Sequence, residues 1–259
     1  MQPNQTISDL LTAFRDGRIT REEAEQAIHG LQIETVGEIA RLDIGRTARC
    51  GMPEAILGEG KTPEDLTGIM LSQVRAAGRS IATRTNREQA VAVLDAARQQ
   101  GIPAEYREGS GILILSTKPV PAWTGGIVGI ITAGTSDRRV AEEAQVVAEE
   151  MGCRVKSAYD VGVAGIHRLF PALQGLLDAH VFIIVAGREG TLPAIVAGLL
   201  DRPVIGVPVS TGYGYMGGGR AALASMLQSC SALTVVNIDA GFIAGACAAR
   251  IANLVVRHG

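Results

Sequence analysis

Residues 126–160 read GIVGIITAGTSDRRVAEEAQVVAEEMGCRVKSAYD, and the period of their apolar positions changes along the stretch. GIVGIITAG is a short continuous apolar run, the pattern of a strand buried on both faces of a parallel sheet. In SDRRVAEEAQVVAEEMG the residues Val140, Ala144, Val147, Ala148 and Met151 fall on one helical face. CRVKSAYD then returns to a strand. The alternation continues through a helix in HRLFPALQGLL, a strand in HVFIIVAG, a helix in LPAIVAGLL and a strand in PVIGVPVS. It closes with a helix in RAALASMLQ, a strand in LTVVNID and a helix near 242–256. Alternating strands and helices imply right-handed crossovers and a doubly wound parallel sheet. Ligands of such sheets sit beyond the carboxyl ends of the strands, so the turn after each strand is where chemistry is expected.

The preceding residues have a different rhythm. Two helices are expected over 5–15 and 20–31, the second opened by Thr20 with Glu23 three residues on, a capping-box pattern. A mixed, glycine-rich and charged stretch, ETVGEIARLDIGRTARCGMPEAILGEGKTPED, follows. A third helix starts after Thr62, with Pro63 at its first position and Leu66, Ile69, Met70 and Val74 on one face. Strand-like SIATRT and GILILS and a helix near 87–100 complete a smaller α/β domain, residues 1–121. TKPVPAWTGG is the linker candidate, and residues 122–259 form the doubly wound domain.

Composition narrows the function. The chain has 259 residues and a net charge of -2, which argues against a broad nucleic-acid footprint. Aromatic residues make up 3%, so the core is built from Ala, Val, Ile and Leu. No apolar run reaches the ~18 residues of a membrane span, and the opening MQPNQTISD has no secretory pattern. Four widely spaced cysteines, Cys50, Cys153, Cys230 and Cys247, form no CxxC pair or zinc-type cluster. A cytoplasmic protein with reduced thiols is expected. Cys153 and Cys247 lie within apolar elements and read as core residues.

Each strand end carries polar residues of its own. After the first strand come Gly134, Thr135, Ser136 and Asp137, where backbone amides and a helix N-terminus suit an anion. Ser136 is either a phosphate donor or an N-cap, and Asp137 suits a ribose or a proton. Asp160, His167 and Arg168 gather after the second strand, either as proton-transfer and phosphate groups or as solvated residues of a helix start. Glu189 follows Arg188 between two glycines after the third strand, as a base, a metal ligand or half of a surface ion pair. STGYGYMGGGR reads as a lid, a backbone-lined pocket or a plain loop. Cys230 lies between the last crossover helix and the last strand and is expected at the ligand edge. Asn237 and Asp239 close the set at the last strand end.

Two resemblances rest on these residues. The GTSD turn, the HR pair at 167–168 and AGREGTLPAIVAGLLDRPVIGVPV resemble PurE-type aminoimidazole ribonucleotide carboxylases and mutases, with their flavodoxin-like sheet. Over nearly the whole chain, RLDIGRTARCGMPEAILGEGKTPE, DVGVAGIHRL, GREGTLPAIV, SCSALTVVNID and GFIAG are similar to the LarB family. Those are the pyridinium-3,5-biscarboxylic acid mononucleotide synthases of nickel-pincer nucleotide biosynthesis, which supports lactate racemase maturation. Gly45 stands where that family often has a His, and Ile243 where it usually has a Gly.

The resemblance implies carboxylation of nicotinic acid adenine dinucleotide at ring carbon 5, from carbon dioxide or bicarbonate, with hydrolysis of its phosphoanhydride to release AMP. It implies Cys230 as covalent catalyst and Glu189, His167 and Asp160 as acid–base groups. Gly134, Thr135, Ser136, Asp137, Arg168, Asn237 and Asp239 are the implied substrate contacts. A divalent cation such as magnesium is expected at ligands the sequence does not name, without PLP or biotin. A homo-oligomer, octameric by analogy, is expected to pack RAALASM and AGACAARIA between subunits. Two other readings are a PurE-like purine carboxylase with an extra domain and a non-catalytic nucleotide sensor. The cysteine and the foreign N-terminal domain count against the first, and retention of Cys230, Glu189 and His167 together counts against the second.

Overall fold

A computed structural model describes residues 7–258. Its contacts divide the chain between Pro119 and Val120 into two units.

In the first unit, α1 (Ile7–Arg15) and α2 (Arg21–His29) precede a hairpin of β1 (Glu34–Val36) and β2 (Ala40–Leu42). The capping box forms as read: the Thr20 side chain accepts from the Glu23 N–H, and the Glu23 carboxylate accepts from the Thr20 N–H. Short α3 (Arg46–Cys50) and β3 (Ala55–Leu57) occupy the mixed stretch, whose elements are too brief for a period to show. Then come α4 (Pro63–Ala77), β4 (Arg79–Thr83), α5 (Arg87–Gln99), β5 (Ala104–Arg107) and β6 (Ile112–Ser116). The sheet runs β3-β4-β6-β5, with only the β3/β4 pair parallel. Leu66, Ile69, Met70 and Val74 of α4 are buried against Ala90, Val93 and Ala97 of α5 and Leu113 and Leu115 of β6. The departure at Gly45 has a local cause. A Cβ there would lie 2.5 Å from the His29 carbonyl oxygen, so this backbone leaves no room for an imidazole.

The second unit contains β7 (Ile127–Thr132), α6 (Arg138–Glu150), β8 (Arg154–Ala158), α7 (Leu169–Gln174), β9 (Val181–Ala186) and α8 (Leu192–Leu199). It continues with β10 (Val204–Pro208), α9 (Arg220–Leu227), β11 (Thr234–Val235) and α10 (Gly241–His258). All strands are parallel, in the order β11-β10-β9-β7-β8. The chain turns to opposite sides of β7, so β7 and β9 flank the topological switch point where such sheets bind ligands. Helices α6 and α10 pack on each other, and α7, α8 and α9 cover Phe182, Ile184 and Val204 on the other face.

Three expectations need correction. The helix read through HRLFPALQGLL is shorter than expected: His167 and Arg168 end a 3-10 segment (Val163–Arg168) that is kinked at Gly165 (φ -128, ψ 57), and α7 stops at Gln174, before Gly175. Cys247 is exposed, on the outward face of α10 beside Ile243, whereas Cys153 is buried as expected. The helix is apolar nearly all round, so its sequence did not distinguish the inner face. The alanines of α10 expected between subunits serve the chain's own packing: Ala244, Ala248, Ala249 and Ala252 are buried, and α10 packs on α6.

Candidate active site

The carboxyl ends of β7, β9 and β10 open onto a cleft of about 380 Å³. Its lining comes from 133, 134, 136 and 137, 162–164, 186–192 and 211–213, so four successive turns build it. Two helix N-termini contribute, those of α6 and α8, and neither carries a side-chain cap. The dipoles of these helix ends favour an anion. Ser136 lines the cleft, exposed, and caps neither helix, which removes the N-cap alternative.

Asp137 is buried in the cleft, 3% exposed. Its carboxylate accepts from the Gly134 N–H at 2.8 Å and the Thr211 hydroxyl at 3.3 Å, with a further bond from the Gly187 N–H. Burial raises its pKa, and these donors offset only part of that rise. Asp137 thereby ties the turn after β7 to the turns after β9 and β10, and shapes the cleft floor. Thr211 and Gly187 were not singled out in the sequence, because their role depends on a carboxylate 74 and 50 residues away in the chain.

Arg188 and Glu189 both line the cleft. They do not form the surface ion pair that was one alternative: the Arg188 guanidinium lies over the Tyr213 ring, 4.3 Å from its centroid, and Glu189 stands exposed at the cleft wall. Among the described residues, five non-glycine positions have positive φ, and Asp160, Arg188, Met216 and Asp239 are four of them. Each follows a strand of the parallel sheet. Such conformations cost of order 1–3 kcal/mol, so strain is concentrated at the ligand edge.

Of the remaining residues, only Gly134 is part of the cleft lining. Asp160 is exposed and paired with Arg168 at 2.8 Å, while His167 is exposed on the 3-10 segment between them and α7. Asp239 accepts from the Ser210 N–H and fastens the end of β11 to the loop after β10, and the Asn237 side chain accepts from the Ile238 N–H. Thr135 is exposed at the turn and Gly134 lines the cleft.

Cys230 is exposed, but its expected place at the ligand edge is not observed. It precedes β11, whose Thr234 pairs with Ile205 near the start of β10, and the neighbouring Ser231 hydroxyl donates to the Ala194 carbonyl of α8. A connection from a helix into a parallel strand enters at the amino end, so the thiol lies outside the cleft of this chain.

Among the described residues no three His, Cys, Asp or Glu side chains group as a metal site. Nor is any helix among them long and apolar enough to cross a membrane.

A five-stranded parallel sheet with a small-residue turn and a cleft at its switch point defines a domain of the AIR carboxylase class, whose family model matches residues 127–257. Residues 33–118 match the LarB/PurE-like N-terminal domain, and with both domains in this order the chain belongs to the LarB family. A protein of unassigned function from Methanocaldococcus jannaschii is 41% identical over 257 residues, covering 97% of this chain and 98% of its own length. The N5-carboxyaminoimidazole ribonucleotide mutase of the same organism is 34% identical over 120 residues, 44% of this chain and 71% of its own. A probable mutase of the same kind from Methanothermobacter thermautotrophicus is 32% identical over 134 residues, 49% of this chain and 38% of its own. The chain is thus a member of a carboxylase/mutase-like family.

Proposed function

We propose that the chain carboxylates nicotinic acid adenine dinucleotide at ring carbon 5 and hydrolyses its phosphoanhydride, giving pyridinium-3,5-biscarboxylic acid mononucleotide and AMP. The observation that carries this reading is the cleft where two uncapped helix N-termini meet Glu189, in a family whose N-terminal domain is not that of the mutases alone. Two helix ends suit the phosphates of a nucleotide substrate.

A pyridinium ring is electron-poor and does not attack carbon dioxide. When the Cys230 thiolate adds at ring carbon 4, a C–S bond forms and the ring electrons become those of a 1,4-dihydropyridine. Carbon 5 is now the nucleophilic end of an enamine and forms the new C–C bond to carbon dioxide. Loss of the carbon-5 proton and expulsion of the thiolate then restore aromaticity. Sulfur suits this because it both attacks and leaves readily. Glu189, on the cleft wall, takes the carbon-5 proton. His167 and Asp160, near but outside the lining, serve proton exchange with solvent. Ser136 and the turn at Gly134 and Thr135 hold phosphate, with Arg168, Asn237 and Asp239 at its periphery. Water attacks the phosphoanhydride in the hydrolytic step. A divalent cation would arrive on the diphosphate, as magnesium commonly does, and none of the steps above is routed through it.

Because Cys230 lies outside the cleft of its own protomer, the reading requires a second copy to supply the thiol. The enzyme is accordingly a cytoplasmic homo-oligomer, octameric by family analogy. The test is mass spectrometry after incubation with nicotinic acid adenine dinucleotide and isotopically labelled bicarbonate, at a concentration where light scattering gives the assembly state. A mononucleotide carrying one labelled carboxylate, with AMP and an oligomer, is expected. Carboxylation of aminoimidazole ribonucleotide instead would replace this reading with the purine one, and a stable monomer that carboxylates the dinucleotide would remove the second copy from it.

A further inference from the structure

The cleft does not end at Tyr213. A second cavity of about 270 Å³ adjoins it, and the two share Arg188, Glu189, Gly212 and Tyr213 as common wall. The second cavity is completed by Tyr215, Met216 and the glycine backbone of the loop after β10. Aromatic residues are 3% of this chain, yet two of its four tyrosines stand on this one loop. Both are directed away from the core: Tyr213 is 76% and Tyr215 96% exposed. Exposing two large rings beside a cavity wins nothing for folding. Such rings are instead platforms on which a planar base stacks, and a guanidinium on a ring strengthens the arrangement. Arg188 already covers one face of Tyr213, and among the described residues it is the only cation lining either cavity.

We propose that the second cavity seats the base of the second nucleotide of a dinucleotide. Tyr213 and Tyr215 are its stacking surfaces, and Arg188 on the shared wall holds the phosphate of that nucleotide, while the other phosphate of the diphosphate lies at the Ser136 turn. The first cleft, with the N-termini of α6 and α8, takes the reacting mononucleotide. This rests on the dinucleotide reading of the substrate, and it assigns the residues by which the chain distinguishes a dinucleotide from a mononucleotide.

The test measures affinities of the full chain for AMP and, separately, for nicotinic acid mononucleotide by titration calorimetry. Tyr213→Ala and Tyr215→Ala are compared with the wild type and with Tyr213→Phe and Tyr215→Phe. Each Ala variant is expected to weaken AMP by roughly tenfold or more, with AMP affinity restored in the Phe variants and nicotinic acid mononucleotide unchanged in Tyr215→Ala, because Tyr215 lines the second cavity and not the first cleft. Unchanged AMP affinity in both Ala variants overturns the assignment, as does a parallel loss for both ligands in Tyr215→Ala. The two readings fail separately. AMP binding that depends on the tyrosines in a protein that carboxylates no dinucleotide leaves the cavity standing and removes the reaction. Dinucleotide carboxylation with an unaltered KM in both Ala variants removes the cavity and leaves the reaction.

Discussion

Glu189 shows how far single residues could be read. Its spacing after an apolar strand, between glycines, pointed to the cleft, and the structure puts it on the wall of both cavities. A carboxylate that only takes a proton in the reaction should be dispensable for binding. Glu189→Gln is therefore expected to bind the dinucleotide like the wild type and to lose about 100-fold in turnover, read from calorimetry and steady-state rates. An unimpaired Gln variant would leave proton transfer to another group. The cysteines show the limit of residue-by-residue reading. Burial pushes the Cys153 thiol up to about 11, so it stays protonated and inert at neutral pH, which its apolar surroundings already indicated. Cys247, among the small apolar residues of α10, faces outward. Cys153, with charged neighbours in the chain, is instead covered by Ala249 and Asn253 of α10, so packing between helices and not local hydrophobicity decided which was buried.

At the level of elements, the alternation of strand and helix was legible because each buried strand is a continuous apolar run. The ends of elements were less so. β11 pairs over only Thr234–Val235 although LTVVNID reads as a longer strand, because it has a neighbour on one side alone and Asp239 turns away at φ 56. The pairing of α10 with α6 was hidden too, since small residues suit close contact with any partner. Gly245 carries that contact: a Cβ there would lie 2.3 Å from the Ala144 carbonyl oxygen and 2.9 Å from its Cα. Neither is a flexible side-chain end, so the helices must separate to admit one. Gly245→Val should thus lower unfolding free energy by about 1–3 kcal/mol, measured by denaturant titration. Wild-type stability in that variant would mean that α10 is not seated as described.

At the scale of the whole molecule, fold class was readable in the sequence because period and composition carry it, whereas the completeness of the site was not. Cys230 and the cleft are brought into one sequence neighbourhood by β10, α9 and β11, but chain direction places the thiol at the entrance of a strand and the cleft at the exits. Only assembly can join them in the proposed chemistry. The central claim is that this thiol forms a bond to ring carbon 4, and the near-ultraviolet spectrum of the assembled protein with NAD tests it most directly. NAD is a pyridinium that can accept the thiolate without completing turnover. The wild type should develop a dihydropyridine-like band on adding NAD, and Cys153→Ser and Cys247→Ser should retain it. Cys230→Ser, nearly isosteric, should fold, bind NAD and show no band, and should not carboxylate the dinucleotide. A Cys230→Ser protein that gives the same band, or carboxylates at close to the wild-type rate, would contradict the account.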